Sequence, residues 1–231
     1  SKETSLILPA VMVVYYIIFV DKMLFKPKNY LLLGTWIAFI ILFFLMRSLA
    51  LKPGLETNIE FGFGAVISNL AFIPDAVRKS ILPLEHSVLP SYSSIGTIHG
   101  LFWILLIVIV VFLNKQFKNK AILFGLLWFM IMAVPAMFIR YPQADVFFDY
   151  VDNRLYFTII GLFIILAELI KTSWTKDRRK INAIILSAFF IFYIVMTFMH
   201  SRNYQNPENY WDNAVATNPG KAMMHYRYGY S

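Results

Sequence analysis

Six long runs almost free of charge decide what this chain can fold into: Leu6–Val20, Tyr30–Met46, Trp103–Leu113, Ala121–Ile139, Leu155–Ala167 and Ile181–Met199. A helix rises about 1.5 Å per residue and a bilayer's hydrocarbon core is roughly 30 Å thick, so about 17–25 apolar residues make one crossing. The shorter runs need flanking residues to complete it. The chain is 59% hydrophobic and only 15% charged, whereas a soluble domain is roughly 45–50% apolar and about 25% charged. That composition excludes a soluble globular domain and an intrinsically disordered chain. The absence of cysteine excludes a disulfide-stapled fold and a thiolate metal site. The expected fold class is all-α: a polytopic membrane helix bundle over residues 1–200, with six spans at 6–20, 30–46, 98–113, 121–139, 155–170 and 181–199.

The first run lacks an initiator Met, a basic stretch before it and a small-residue cleavage site, so it reads as a span and not a signal peptide. The chain opens inside one motif, Ser1-Lys2-Glu3-Thr4-Ser5, and closes inside another, so it reads as an internal piece of a longer protein.

The net charge of +8 follows topology. The connections 21–29, 114–120 and 171–180 hold Lys22, Lys26, Lys28, Lys115, Lys118, Lys120, Lys171, Lys176, Arg178, Arg179 and Lys180 against Asp21 and Asp177. The other connections carry balanced charge over a much greater length. Short loops rich in Lys and Arg stay cytoplasmic. The alternation therefore sends the start, the segment 47–97, the loop 140–154 and the C-terminal tail to the outer, periplasmic or lumenal side. The basic excess is a topology signal with attraction to anionic lipid, and no nucleic-acid stripe is present.

Segment 47–97 is too long for a hairpin and too apolar for a free loop. Phe61–Ile73 is short for a span and suits a re-entrant or interfacial helix. The stretch Asp75–Lys79 follows with a polar face, and then come Ile81-Leu82-Pro83-Leu84 and the proline- and serine-rich His86–Ser94. Non-helical backbone at membrane depth survives only under a protein cover or along a wet cavity. Two readings stand: the segment covers the outer mouth of the bundle, or an amphipathic helix rests on lipid. Pro135, inside the fourth span, is expected to kink it and free backbone carbonyls near the outer surface.

After Met199 the chain changes character. Asn206-Pro207 and Asn218-Pro219 each pair an N-cap residue with proline at the first helical position. Residues 201–231 read as the start of a tetratricopeptide repeat region, with Trp211 at the large-aromatic position, Ala214 three residues on and Pro219 closing the hairpin. His225, Tyr228 and Gly229 then fall at the opening of a next repeat, while Pro207 departs from the pattern and marks a capping helix. One hairpin cannot bury its own apolar face, so the array is expected to continue or to dock on a protein partner.

Nothing within the chain reads as a nucleotide loop: Gly62-Phe-Gly64 lacks the rest of a dinucleotide fingerprint, and Gly220-Lys221 lacks a Walker loop. His86, His99, His200 and His225 have no spacing suited to a metal. The outer span ends are more informative. Arg140 and Arg154 each lie against a span end within one acidic loop, with Tyr156 beside the second. Opposed arginines can clamp a phosphate in a bidentate manner; taken singly, such residues snorkel to headgroups. No cofactor is fixed by the sequence. The one candidate is a divalent cation held by Asp145, Asp149 and Asp152 through oxygen ligands, against ion pairing inside the loop. Glu168 and Lys171, on the inner side, read as an i, i+3 salt bridge.

Together these features resemble the polytopic glycosyltransferases of the C-type superfamily that use lipid-phosphate sugars, in the protein O-mannosyltransferase-like branch ending in tetratricopeptide repeats. The resemblance rests on Ser1-Lys2-Glu3-Thr4 with Pro9, Ile81-Leu82-Pro83-Leu84 with Ser87 and Tyr92, Asp152-Asn153-Arg154-Leu155-Tyr156, and Arg202-Asn203 with Trp211 and Asn218-Pro219. These run in the family's order over nearly the whole chain, although the glutamate expected before Arg154 is Asn153. The resemblance implies transfer of a sugar from a polyprenyl-phosphate donor to an acceptor at the outer face. It implies Arg154, Arg140, Tyr156, Lys2 and Glu3 at the donor phosphate, and Trp211, Pro219, Tyr228 and Gly229 at a protein partner or acceptor. The family's catalytic aspartate would lie upstream of Ser1, so this stretch alone should be inactive. Two alternatives remain from the residues: a lipid-linked glycan ligase or polymerase, and a non-catalytic membrane scaffold presenting an outward repeat array. A transporter is disfavoured by span interiors nearly devoid of polar residues.

Overall fold

A computed structural model of the chain describes residues 7–20, 27–50, 60–83, 87–88, 94–140, 155–172, 179–217 and 219. Those residues are all-α apart from one pair of two-residue strands. The elements in chain order are α1 (Leu8–Tyr15), α2 (Pro27–Ala50), β1 (Glu60–Phe61), α3 (Phe63–Ser68), α4 (Phe72–Ile81), α5 (Ser94–Leu113), α6 (Lys120–Met137), β2 (Ile139–Arg140), α7 (Leu155–Thr172), α8 (Arg179–Ser201) and α9 (Pro207–Thr217). Within the described residues every run that the sequence marks as apolar is helical over most of its length, the fourth ending its helix at Met137 with Ile139 already in β2.

Among the described residues two segments, Ser94–Leu113 and Lys180–Tyr204, are long and apolar enough to cross a membrane. Leu8–Val20, Gly34–Phe43 and Lys120–Val134 are shorter apolar helical segments. Large apolar side chains line the outside: Ile98, Leu105 and Phe112 on α5, and Ile184, Ile191 and Phe198 on α8, are all exposed. Exposed apolar area of that extent marks a surface meant for lipid or protein and not for water.

The tightest pairing is α6 against α7. Gly125 and Gly161 meet at their crossing: a Cβ on Gly125 would lie 2.6 Å from the Gly161 oxygen, and one on Gly161 would lie 2.4 Å from the Gly125 oxygen. Absent side chains let the two backbones touch, which is how helices associate where no hydrophobic drive exists between them. The pair is antiparallel. Asn119, which caps α6 by accepting from Ala121 N at 2.9 Å, also donates from Nδ2 to Glu168 Oε1 at 3.0 Å near the far end of α7. Trp128 Nε1 donates to the Phe157 carbonyl at 2.6 Å. The i, i+3 bridge expected on the inner side is present, Lys171 Nζ to Glu168 Oε1 at 3.2 Å. Val11 and Ile18, on α1 and its π-helical extension Tyr16–Val20, pack on Phe124 and Met132 of α6.

The opposite end of the bundle is more elaborate. The stretch Phe61–Ile73 is broken into β1, α3 and the first turn of α4, and so forms no single re-entrant helix. The break falls at Gly62, whose φ of 127° lies where only glycine is comfortable. Glu60 and Phe61 pair antiparallel with Arg140 and Ile139, and Gly62 N donates to the Phe138 carbonyl at 3.1 Å. Asn69 Nδ2 donates to the Met137 carbonyl at 3.1 Å. Helix α6 continues through Pro135 and ends two residues later, and the carbonyls freed there are taken by residues 62 and 69.

Candidate functional site

Helix α4 is amphipathic, yet its polar face is inside. Phe72, Ala76 and Val77 join Phe129, Ala133 and Met137 of α6 and Leu155 and Leu162 of α7 in the main core, with Trp103, Ile104 and Ile107 of α5 against it. Asp75, Arg78 and Lys79 are buried on the same helix. Helix α4 is packed among α5, α6 and α7 with its charged residues buried.

The register explains how. Gly96 and Gly100 of α5 stand one turn apart, as do Pro74 and Arg78 of α4. A Cβ on Gly100 would lie 2.0 Å from the Pro74 oxygen, and one on Gly96 would lie 3.3 Å from Arg78 Nε. Helix α4 therefore runs antiparallel along a glycine notch in α5. A small-x-x-x-small pair of this kind is legible in sequence as Gly96-Thr-Ile-His-Gly100. That signal marks where another backbone can approach α5, but not which one; in the sequence Asp75–Lys79 read only as a polar face.

Within the site one carboxylate holds both cations. Arg78 Nη2 and Nε donate to Asp75 Oδ1 at 3.0 and 3.3 Å, and Lys79 Nζ reaches Oδ2 at 3.1 Å. The side chains of Asp75, Arg78 and Lys79 are 10%, 9% and 5% exposed, and all three take part in further interactions. Ser80 Oγ donates to the Ala76 carbonyl at 2.6 Å, and the Tyr193 hydroxyl of α8 donates to the Ser80 carbonyl. Burying an ion costs several kcal/mol after relaxation, and a buried ion pair is seldom more stabilising than apolar residues of the same volume. Three buried ions in a bundle this apolar are therefore weakly explained by stability and point to a use.

Segment 87–88 ties the tail to this end. Ser87 Oγ and Thr217 Oγ1 lie 2.7 Å apart, and Val88 N donates to Asn213 Oδ1 at 3.0 Å. Val88 packs with Ala214, Tyr210, Trp211 and Val215 of α9. Burial pushes the Tyr210 phenol above its ordinary pKa. Helix α9 starts as the sequence predicts, with Asn206 Oδ1 accepting from Asn209 N at 2.7 Å. The apolar face that was expected to need another repeat or a partner thus carries Val88.

Of the residues singled out from the sequence, Arg140 stands in β2 at the end of α6, paired in register with Glu60. Tyr156 is in the first turn of α7, exposed. Trp211 packs in α9 and Pro219 lies in the turn after it. Lys2, Glu3, Arg154, Tyr228 and Gly229 lie outside the described residues, as do Asp145, Asp149 and Asp152. Among the described residues no group of three or more His, Asp or Glu side chains could hold a metal ion. Comparison with protein-family models, with curated proteins and with solved structures returns no match.

Proposed function

We propose that this chain is the lipid-donor part of a membrane-embedded glycosyltransferase, taking a polyprenyl-phosphate-linked sugar and acting on an acceptor at the outer face. In this reading α1, α2, α5, α6, α7 and α8 are six spans, the lysine-rich turns face the cytosol, and the tail is outside. One observation supports the proposal: the described parts of the segments that the charge pattern assigns to the outer face are gathered at one end of the bundle. Pro83 follows α4, Met137 accepts from Asn69, Leu155 packs on Phe72, and Ser87 and Val88 meet α9. The Asn119–Glu168–Lys171 network sits at the other end.

In chemical terms, Arg154 and Arg140, with Lys2 and the Tyr156 hydroxyl, stabilise the phosphate that leaves the sugar, Glu3 orients the cations, and the base is an acid contributed from elsewhere in the enzyme. An electrostatic clamp of that kind is worth about 3–4 kcal/mol of barrier per well-placed donor. Trp211, Pro219, Tyr228 and Gly229 begin the repeat surface that receives a partner or acceptor protein. The test uses membranes carrying the gene product that contains this chain, supplied with radiolabelled polyprenyl-phosphate sugars. Transfer of label to an acceptor, lost in Arg154→Ala with membrane insertion intact, supports the reading. No transfer from any such donor, or unchanged transfer in the variant, overturns it.

A further inference from the structure

We infer that α9 is a receptor for a non-helical polypeptide segment in which a hydroxyl residue precedes a β-branched aliphatic one, and that the chain's own Ser87-Val88 occupies it as a displaceable ligand. The inference rests on the tail as a partner-binding surface and not on sugar transfer. Residues 87 and 88 belong to no helix, and α9 meets both with two rows of side chains, the members of each row one turn apart. Asn213 and Thr217 form the polar row: Asn213 Oδ1 accepts from Val88 N at 3.0 Å, and Thr217 Oγ1 stands 2.7 Å from Ser87 Oγ. Tyr210 and Ala214 form the apolar row, flanked by Trp211 and Val215, and Val88 packs against it. Ala214 is fully buried and Val88 is 3% exposed, so the small residue at 214 leaves the room that the branched side chain fills. The backbone bond fixes where a segment sits, and the hydroxyl and aliphatic groups choose which segment it is.

Two features make the occupant exchangeable. The contacts named here are all between neutral groups, so a second segment of the same chemistry remakes in trans what it breaks in cis, at small net cost. The segment in cis then competes through its tether, whose effective concentration is roughly millimolar for a short flexible link. The other feature is the frame. The Tyr193 hydroxyl of α8 donates to the Ser80 carbonyl near the end of α4, while α9 holds residues 87 and 88. One helical arm thus grips the connection from α4 to α5 at two points, and release of Val88 opens the second grip while Tyr193 keeps the first. Between α8 and α9 the chain passes through a 3-10 turn, Arg202–Tyr204, where a change in a few backbone angles moves α9 off the segment. A partner seated on the tail is thereby felt in the connection that leads into α5.

The test follows, by fluorescence anisotropy, a fluorescein-labelled peptide with the sequence of residues 84–92 binding to the whole chain in detergent micelles. Val88→Asp expels the segment in cis, because a carboxylate has no place in that apolar row. This variant should bind the peptide about tenfold or more tighter than wild type, since occupancy in cis lowers apparent affinity by the fraction of sites left open. The same peptide carrying Val88→Asp should not bind, and adding Asn213→Ala to the variant chain should remove the site. Unchanged amide exchange over α6 and α7 shows that the variant is folded. A second measurement needs no disruptive change. The chain has no cysteine, and Ser87→Cys with Thr217→Cys places two thiols where the hydroxyl oxygens stand 2.7 Å apart, within reach of a disulfide. Mild oxidation should form the bridge and abolish residual peptide binding, and reduction should restore it. Equal affinity of wild type and Val88→Asp, no binding to the folded variant, binding of the aspartate peptide, or a bridged chain that still binds overturns the inference. Neither readout involves sugar transfer, so a failed glycosyltransferase reading leaves these outcomes unchanged.

Discussion

Alanine placed at three glycines separates the packing proposed for α4 from any general effect of the substitution. At Gly100 the new Cβ would stand 2.0 Å from the Pro74 oxygen, 2.3 Å from its carbonyl carbon and 2.8 Å from its Cα. Comfortable contact begins near 3.5 Å, so α4 and α5 must part by about 1.5 Å, and the obstructing atoms are backbone that no rotamer change can move. Overpacking of well-filled sites costs typically 1–3 kcal/mol, and this one should lie at or above about 3 kcal/mol. At Gly96 the neighbour is the Arg78 side chain, not backbone, with Nε at 3.3 Å; a displacement of a few tenths of an ångström is set against the roughly 0.8–1 kcal/mol by which alanine is the better helix former, and the net change should be near zero. Gly34, in α2, has nothing within 4 Å, so alanine there should stabilise by about 0.5–1 kcal/mol. Unfolding in detergent micelles, followed through the fluorescence of the five tryptophans, gives the three values on one scale. Should Gly100→Ala and Gly96→Ala agree within error, α4 does not lie in the α5 notch and the buried cluster loses its frame.

Other outcomes follow from the same geometry. Asp75→Asn removes the carboxylate that holds Arg78 and Lys79, and breaking a buried pair on one side should cost about 3–5 kcal/mol; the double variant Asp75→Asn, Lys79→Gln should recover part of that loss in the same unfolding assay. Asn206→Ala deletes the side-chain cap on α9, a loss of about 0.5–2 kcal/mol, seen as faster amide exchange over 207–217 with α6 and α7 unchanged. Because the chain has no cysteine, single cysteines at Lys118 and Glu208 report sidedness directly. An impermeant maleimide on intact cells should reach Glu208→Cys alone; equal labelling of both removes the outward tail and the shared outer site with it.

The apolar runs and the Asn206 cap were legible because each depends on local chemistry. A run free of charge is helical wherever backbone groups have no water to bond, and Asn206 caps its own helix from within four residues. The i, i+3 partners Glu168 and Lys171 were equally readable, being neighbours on one face. What escaped was the direction in which α4 turns. A helix bearing Asp75, Arg78 and Lys79 reads as one that shows its charges to water, and only the neighbours at positions 96 and 100 reverse that.

Sequence by itself determined that the described residues are almost wholly helical, with long apolar helices, since hydropathy is a property of segments. Tertiary structure alone decided that α4 is inserted between α5 and α7, that its ions are buried around one carboxylate, and that α9 spends its apolar face on Val88. Those outcomes depend on which backbones can approach closely. Closeness is set by pairs of residues distant in the chain, Pro74 with Gly100 and Gly125 with Gly161, whose meeting no local pattern announces.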